Sequence, residues 1–178
     1  MAGPEKEESF RRFLDEMSGE SRDHSIRQVL ELRTRDYFQS IDAGRIDEVT
    51  PWYAENITWI ERFKNPIRIH KGKEEVVARQ EKNVASLKQN GQTVFTVPIS
   101  IIVDRNRITC RAERFTQESE KIEMKTFVII FDLDETGHVT RRENRIVKKP
   151  VVIRDRTIDE LLAESKKKQK DMNIDHAA

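Results

Sequence analysis

Residues 93–104 read TVFTVPISIIVD, residues 107–119 RITCRAERFTQES and residues 121–134 KIEMKTFVIIFDLD. Each stretch is rich in β-branched and aromatic residues, and the period of two sorts its side chains onto opposite faces. Turn formers follow the first stretch at Asp104-Arg105-Asn106 and the third at Asp134-Glu135-Thr136-Gly137, so the segment predicts three long strands in succession. In 93–104 one face holds Phe95, Val97, Ile99, Ile101 and Val103; the other holds Val94, Thr96, Pro98, Ser100 and Ile102. In 121–134 Phe127, Ile129, Phe131 and Leu133 face one way and Ile122, Met124, Val128 and Ile130 the other. A sheet with one wet face alternates more cleanly than this. Two apolar faces need two covers. Helices can supply one, and the simplest second cover is another copy of the same sheet. The strands therefore predict a homodimer through the outer sheet face.

Outward from this segment, residues 138–147 read as a last strand, residues 57–63 (Ile-Thr-Trp-Ile-Glu-Arg-Phe) as an earlier one and 67–70 as a short one. A helix is expected from Ser25, where Ser25 and Gln28 fit a capping box. Ile26, Val29, Leu30, Tyr37 and Ile41 share its face, and Gly44 suits its left-handed end. Asp47 can cap a short second helix, with Pro51 in a first-turn position. Gly72 opens a third helix carrying Val76, Val77, Val84 and Leu87, which stops near Gly91. Thr157 and Glu160 form another capping box before a helix over 157–172. Its few apolar residues, Ile158, Leu161 and Leu162, precede Lys166, Lys167, Lys168 and Lys170 and predict a lightly docked tail. The organisation read from this is a polar arm at 1–24, a domain at 25–150 and a helical tail at 151–178. Within the arm, Phe10, Phe13, Leu14 and Met17 recur at helical spacing, so it reads as a mobile arm or a short docking helix.

The 178 residues suffice for one domain with a real core. Charged residues make up 37% of the chain, yet the formal net charge is only +1. That balance leaves no global field to draw in nucleic acid or an anionic membrane, and neither is expected as a partner. The lone Cys110 excludes an intrachain disulfide and a cysteine-rich zinc site. No apolar run reaches the length of a membrane span, and the first residues lack the apolar core of a signal peptide. An intracellular, cytoplasmic protein is expected.

Four segments in order carry a family resemblance. They are Tyr37-Phe38-Gln39-Ser40-Ile41-Asp42-Ala43-Gly44-Arg45-Ile46-Asp47, Tyr53-Ala54-Glu55-Asn56-Ile57-Thr58-Trp59, Ile69-His70-Lys71-Gly72-Lys73-Glu74-Glu75-Val76 and Asp134-Glu135-Thr136-Gly137-His138-Val139. With the element order, they make residues 26–149 resemble the nuclear transport factor 2-like superfamily, its SnoaL-like and ketosteroid isomerase-like branches in particular. The resemblance implies an α+β fold of the cystatin-like barrel type, a cone-shaped curved mixed sheet wrapped around N-terminal helices, with charged terminal extensions. It also implies a cavity between sheet and helices, and dimerisation through the outer sheet face. The fold hosts enzymes, ligand binders and interaction modules alike.

Glu61 is the leading candidate for chemistry. Ile57, Trp59, Glu61 and Phe63 share one phase, and a carboxylate on an apolar inward face is tuned toward acid or base work. By the resemblance, Glu61 falls where isomerase-like members carry a proton-shuttling carboxylate, and Tyr37 where they carry a hydrogen-bonding tyrosine. The position of the second oxyanion-holding acid reads Ile129, so half of that oxyanion hole is missing. Arg142 and Asn144 share the pocket face of the last strand, where Arg142 could bind a carboxylate or polarise a carbonyl. Trp59 is expected as pocket wall, and Trp52, Tyr53 and Phe63 as core or pocket wall. Against this stand plainer readings: Glu61 as half of an ion pair with Arg142, Tyr37 as a core aromatic, and His70 and His138 as surface histidines without metal-ligand spacing. No metal or cofactor is called for. Two functions remain: a pocket that binds, or converts by acid/base chemistry, a small apolar oxygen-bearing molecule, and a non-catalytic dimeric interaction module.

Overall fold

The computed structural model describes residues 23–174, so the N-terminal arm with Phe10–Met17 lies outside the described residues. Helix α1 runs Asp23–Asp42 and therefore begins two residues before Ser25, which sits inside it rather than at its cap. A short α2 (Ile46–Val49) passes into a 3₁₀ turn (Thr50–Trp52) that takes Pro51 in its first positions. Strands β1 (Tyr53–Glu61) and β2 (Arg68–Lys71) come next, then α3 (Lys73–Gln89). The long strands β3 (Thr93–Asp104), β4 (Arg107–Glu118) and β5 (Lys121–Leu133) are followed by β6 (Val139–Ile146) and β7 (Val151–Ile153). Helix α4 (Ile158–Ile174) closes the described chain. Among the described residues no helix is long and apolar enough to cross a membrane.

The curved sheet is ordered β2-β1-β6-β5-β4-β3, and β7 adds to the first residues of β5. The β1–β6 pair is parallel and the remaining pairs are antiparallel. Because β1 and β6 run side by side, Trp59 lies opposite Arg142 and Glu61 opposite Asn144. That register brings the sequence-distant candidate residues together.

The inner face of the sheet holds the main core, built around Tyr37, Phe38, Trp52, Tyr53, Ile57, Trp59, Ile129 and Phe131. Edge-on ring contacts at 5.2 Å (Tyr37 to Phe131) and 5.4 Å (Tyr37 to Phe38) run through it, each worth roughly 0.5–1.5 kcal/mol beyond the area it buries. Gly44 ends α1 at φ +75°, and a Cβ there would meet Val84 Cγ1 at 2.9 Å, so the turn and the close approach of α3 both require glycine. The Asp42 carboxylate accepts the backbone N–H of Thr96 at 2.5 Å and its hydroxyl at 2.8 Å, tying the end of α1 to β3.

Two expectations are corrected here. The single alternation read along 93–104 breaks at a bulge between Pro98 and Ser100. An extra residue in one strand shifts the phase by one. Phe95, Val97 and Ile99 consequently pack on the outer face, while Ile101 and Val103 join the inner core. The tail, in turn, is firmly seated. Leu161 packs with Val97, Ile99, Phe115 and Ile122 in a second core on the outer face. The Ser165 hydroxyl donates to Glu113 at 2.5 Å, and Lys168 reaches the same carboxylate at 3.2 Å. Part of the second apolar face is thus covered by the chain's own helix.

Candidate functional site

The inward phase of β1 places Trp59 and Glu61 inside the cone, and that of β6 places Arg142 and Asn144 beside them; all four are buried. Helix α1 contributes Tyr37, helix α3 Arg79 and Gln80, and β2 His70. Asn144 organises the centre. Its side-chain oxygen accepts the Trp59 indole N–H at 2.8 Å and the Arg142 Nε–H at 3.1 Å. The guanidinium of Arg142 thereby lies 4.2 Å above the Trp59 ring and 5.5 Å from that of Tyr37, a stacking that favours a cation with little water around it. Gln80 donates to the Tyr37 hydroxyl at 3.4 Å.

Glu61 does not pair with Arg142. Its carboxylate meets His70 Nε2 at 3.0 Å and an Arg79 terminal nitrogen at 3.4 Å. Burial pushes the carboxyl up, but the His70 bond and then the Arg79 charge more than offset this, and it ends below its ordinary value. It is therefore an ionised group, able to accept a proton rather than donate one at neutral pH. His70 also meets Glu75 through Nδ1 at 3.1 Å. A neutral imidazole donates from one nitrogen only, so both bonds are filled when both nitrogens carry hydrogen. Glu75 is half exposed while Glu61 is buried, and His70 links the two.

Four buried side-chain atoms among the described residues have no hydrogen-bond partner: Tyr53 Oη, Arg79 Nε, Gln80 Oε1 and Arg142 Nη1. All four belong to this cluster. The Tyr53 hydroxyl lies beside Tyr37 and Gln80 without completing a bond to either, and burial foremost holds its ionisation well above the ordinary range. Unpaired buried polar groups are costly, and a native structure that gathers them in one place calls for an explanation.

Of the residues singled out from sequence, Glu61, Tyr37, Trp59, Arg142 and Asn144 come together. Trp52 borders them as core: its indole donates to the Gly137 carbonyl at 3.0 Å and its ring lies 5.1 Å from Phe131. Phe63 does not join them; it is 39% exposed, beyond the end of β1. Tyr53 is buried among them; His70, expected at the surface, is instead largely buried against Glu61; Arg79 and Gln80 were not predicted. The one signal for His70 was its place on the short strand next to β1. Cys110 is fully buried, and burial pushes its thiol up to about 12, so it is unreactive in the fold.

No protein-family profile matches the chain, and no curated protein matches it in sequence. Solved structures do match in shape. A nuclear transport factor 2-like protein from Anabaena variabilis superposes with a TM-score of 0.58 at 10% identity, over 68% of this chain and 89% of its own. A SnoaL-like protein from Burkholderia thailandensis gives 0.53 at 11%, over 66% and 94%. An epoxide hydrolase from Mycobacterium tuberculosis, described as LEH-like, gives 0.52 at 8%, over 64% and 78%. At such identities the likeness is one of fold alone.

Proposed function

We propose that this nuclear transport factor 2-like cone binds a small, largely apolar molecule by an oxygen held at Arg142, and that Glu61 serves as proton acceptor beside it. The observation that carries this reading is the gathering of every unpartnered buried side-chain atom among the described residues in one cluster of Tyr53, Arg79, Gln80 and Arg142. Two guanidinium N–H groups would meet a carbonyl or carboxylate oxygen, and Gln80 Oε1 would accept a hydroxyl. Trp59, Tyr37 and Phe131 would form the apolar wall. With Ile129 in place of a second acid, Arg142 and Tyr37 would hold developing negative charge. The hydrogen bond from His70 would keep Glu61 in its ionised, proton-accepting form.

Calorimetric titration with benzoate and acetophenone tests the reading. Binding of benzoate that Arg142→Met weakens by tenfold or more, roughly 1.4 kcal/mol, supports it. Absence of binding by either compound, or binding indifferent to Arg142, overturns it.

A further inference from the structure

Glu143 sits on the outer face of β6 and is fully buried. Three arginines surround it. Arg62 Nε meets its Oε1 at 2.5 Å, Arg145 Nε meets the same oxygen, and Arg141 holds Oε2. Burial opposes the ionised form, but the bonds from Arg62 and Arg145 and the charge of Arg141 more than offset it. Arg141 spends a further nitrogen on Asp132, at 3.2 Å. Arg62 and Arg145 are different. Each is tied only through Nε, and among the described residues their terminal nitrogens bond no other side chain. Their side chains are 41% and 52% exposed. Sharing one acceptor oxygen fixes the two Nε atoms within about two hydrogen-bond lengths of each other. Like charges held this close repel, and one carboxylate does not balance three guanidinium groups.

The two arginines line a surface hollow of about 500 Å³ whose other walls are Phe63 and Ile146, both exposed. The Lys64 ammonium lies 5.1 Å from the centre of the Phe63 ring, which leaves the ring a wall rather than a free stacking platform for a nucleobase. We propose that this hollow binds a phosphate monoester carried on an aromatic or branched apolar body. Two preset guanidinium forks, with a local surplus of positive charge, match a tetrahedral dianion, and Phe63 and Ile146 match the body. The hollow lies at the ends of β1 and β6, shares no lining residue with the cluster inside the cone, and does not depend on what the cone binds.

Titration with phenyl phosphate and with inorganic phosphate at low ionic strength tests the proposal. The wild-type chain should bind both, phenyl phosphate more tightly. R145M and R62M should each weaken both by roughly tenfold or more. Each leaves Glu143 two arginine partners, and a thermal melt checks that the variants fold. F63A, at an exposed position, should weaken phenyl phosphate and leave inorganic phosphate unchanged. R107M removes an arginine elsewhere on the same face and should change neither. No binding of phenyl phosphate, binding indifferent to R145M, or an equal loss in R107M overturns the proposal. Should R145M and R62M fail to fold, F63A decides: an equal effect on the two ligands, or none, refutes the site.

Discussion

Replacing Glu61 by Gln removes one charge from a group held by His70 at 3.0 Å and Arg79 at 3.4 Å. The amide oxygen can still accept from one of them, but its NH₂ then faces the other donor. Breaking a buried charge pair costs about 3–5 kcal/mol. The low end applies here, because His70 keeps Glu75 and the His70 and Arg79 side chains are 13% and 18% exposed. A loss of about 3 kcal/mol corresponds to a fall of roughly 6–12 °C in melting temperature for a chain of this size. Adding Arg79→Met should recover part of it by removing the stranded cation. The loss also has a pH signature. The folded carboxyl lies below its ordinary value, so its stabilisation is full above the unfolded pKa and disappears as pH falls through the folded one. The gap between parent and variant should therefore close in acid. Thermal melts at neutral and acid pH check this. A loss under about 1 kcal/mol at neutral pH, or a gap that widens in acid, would refute the ion-pair account of Glu61.

Three further outcomes follow from the packing. Leu161→Ala should cost about 2–3 kcal/mol, seen as a lower denaturant midpoint, because Leu161 is the buried anchor of α4 on Val97, Ile99, Phe115 and Ile122; an unchanged midpoint would mean the helix is not part of the fold. Cys110 should react with a thiol reagent only at the rate of global unfolding, given its burial and a pKa of about 12; fast native-state labelling would contradict that. We also propose that the homodimer read from the strands uses the part of the outer face that α4 leaves uncovered, around Val128 and Ile130. Ile130→Lys should then shift the sedimentation coefficient toward the monomer, and a wild-type monomer at micromolar concentration would rule it out.

The sheet was legible because period-two apolar patterns over a dozen residues admit few alternatives, and the inward phase of Trp59, Glu61, Arg142 and Asn144 came with it. What lay hidden depended on tertiary placement. The phase slip in β3 turns on one bulge beside Pro98, a residue that interrupts the ladder and could have marked it. The partners of Glu61 sit on β2 and α3, and only the packing of α3 across the end of β1 selects Arg79 over Arg142. Glu143, amid Arg141, Arg142 and Arg145, has the appearance of a solvated charge run. It is buried because the arginines themselves cover it. The tail seemed weakly amphipathic because polar contacts, Ser165 and Lys168 on Glu113, supply much of its docking.

The central claim is that the unpartnered atoms inside the cone await an oxygen-bearing ligand, and a crystal structure of the chain grown with benzoate tests it most directly. The account predicts the carboxylate within hydrogen-bond distance of Arg142 Nη1, its ring against Trp59 or Phe131, and Asn144 still bonded to both Trp59 and Arg142. A cone without benzoate in which Arg142 Nη1, Arg79 Nε, Gln80 Oε1 and Tyr53 Oη have paired with one another would contradict it.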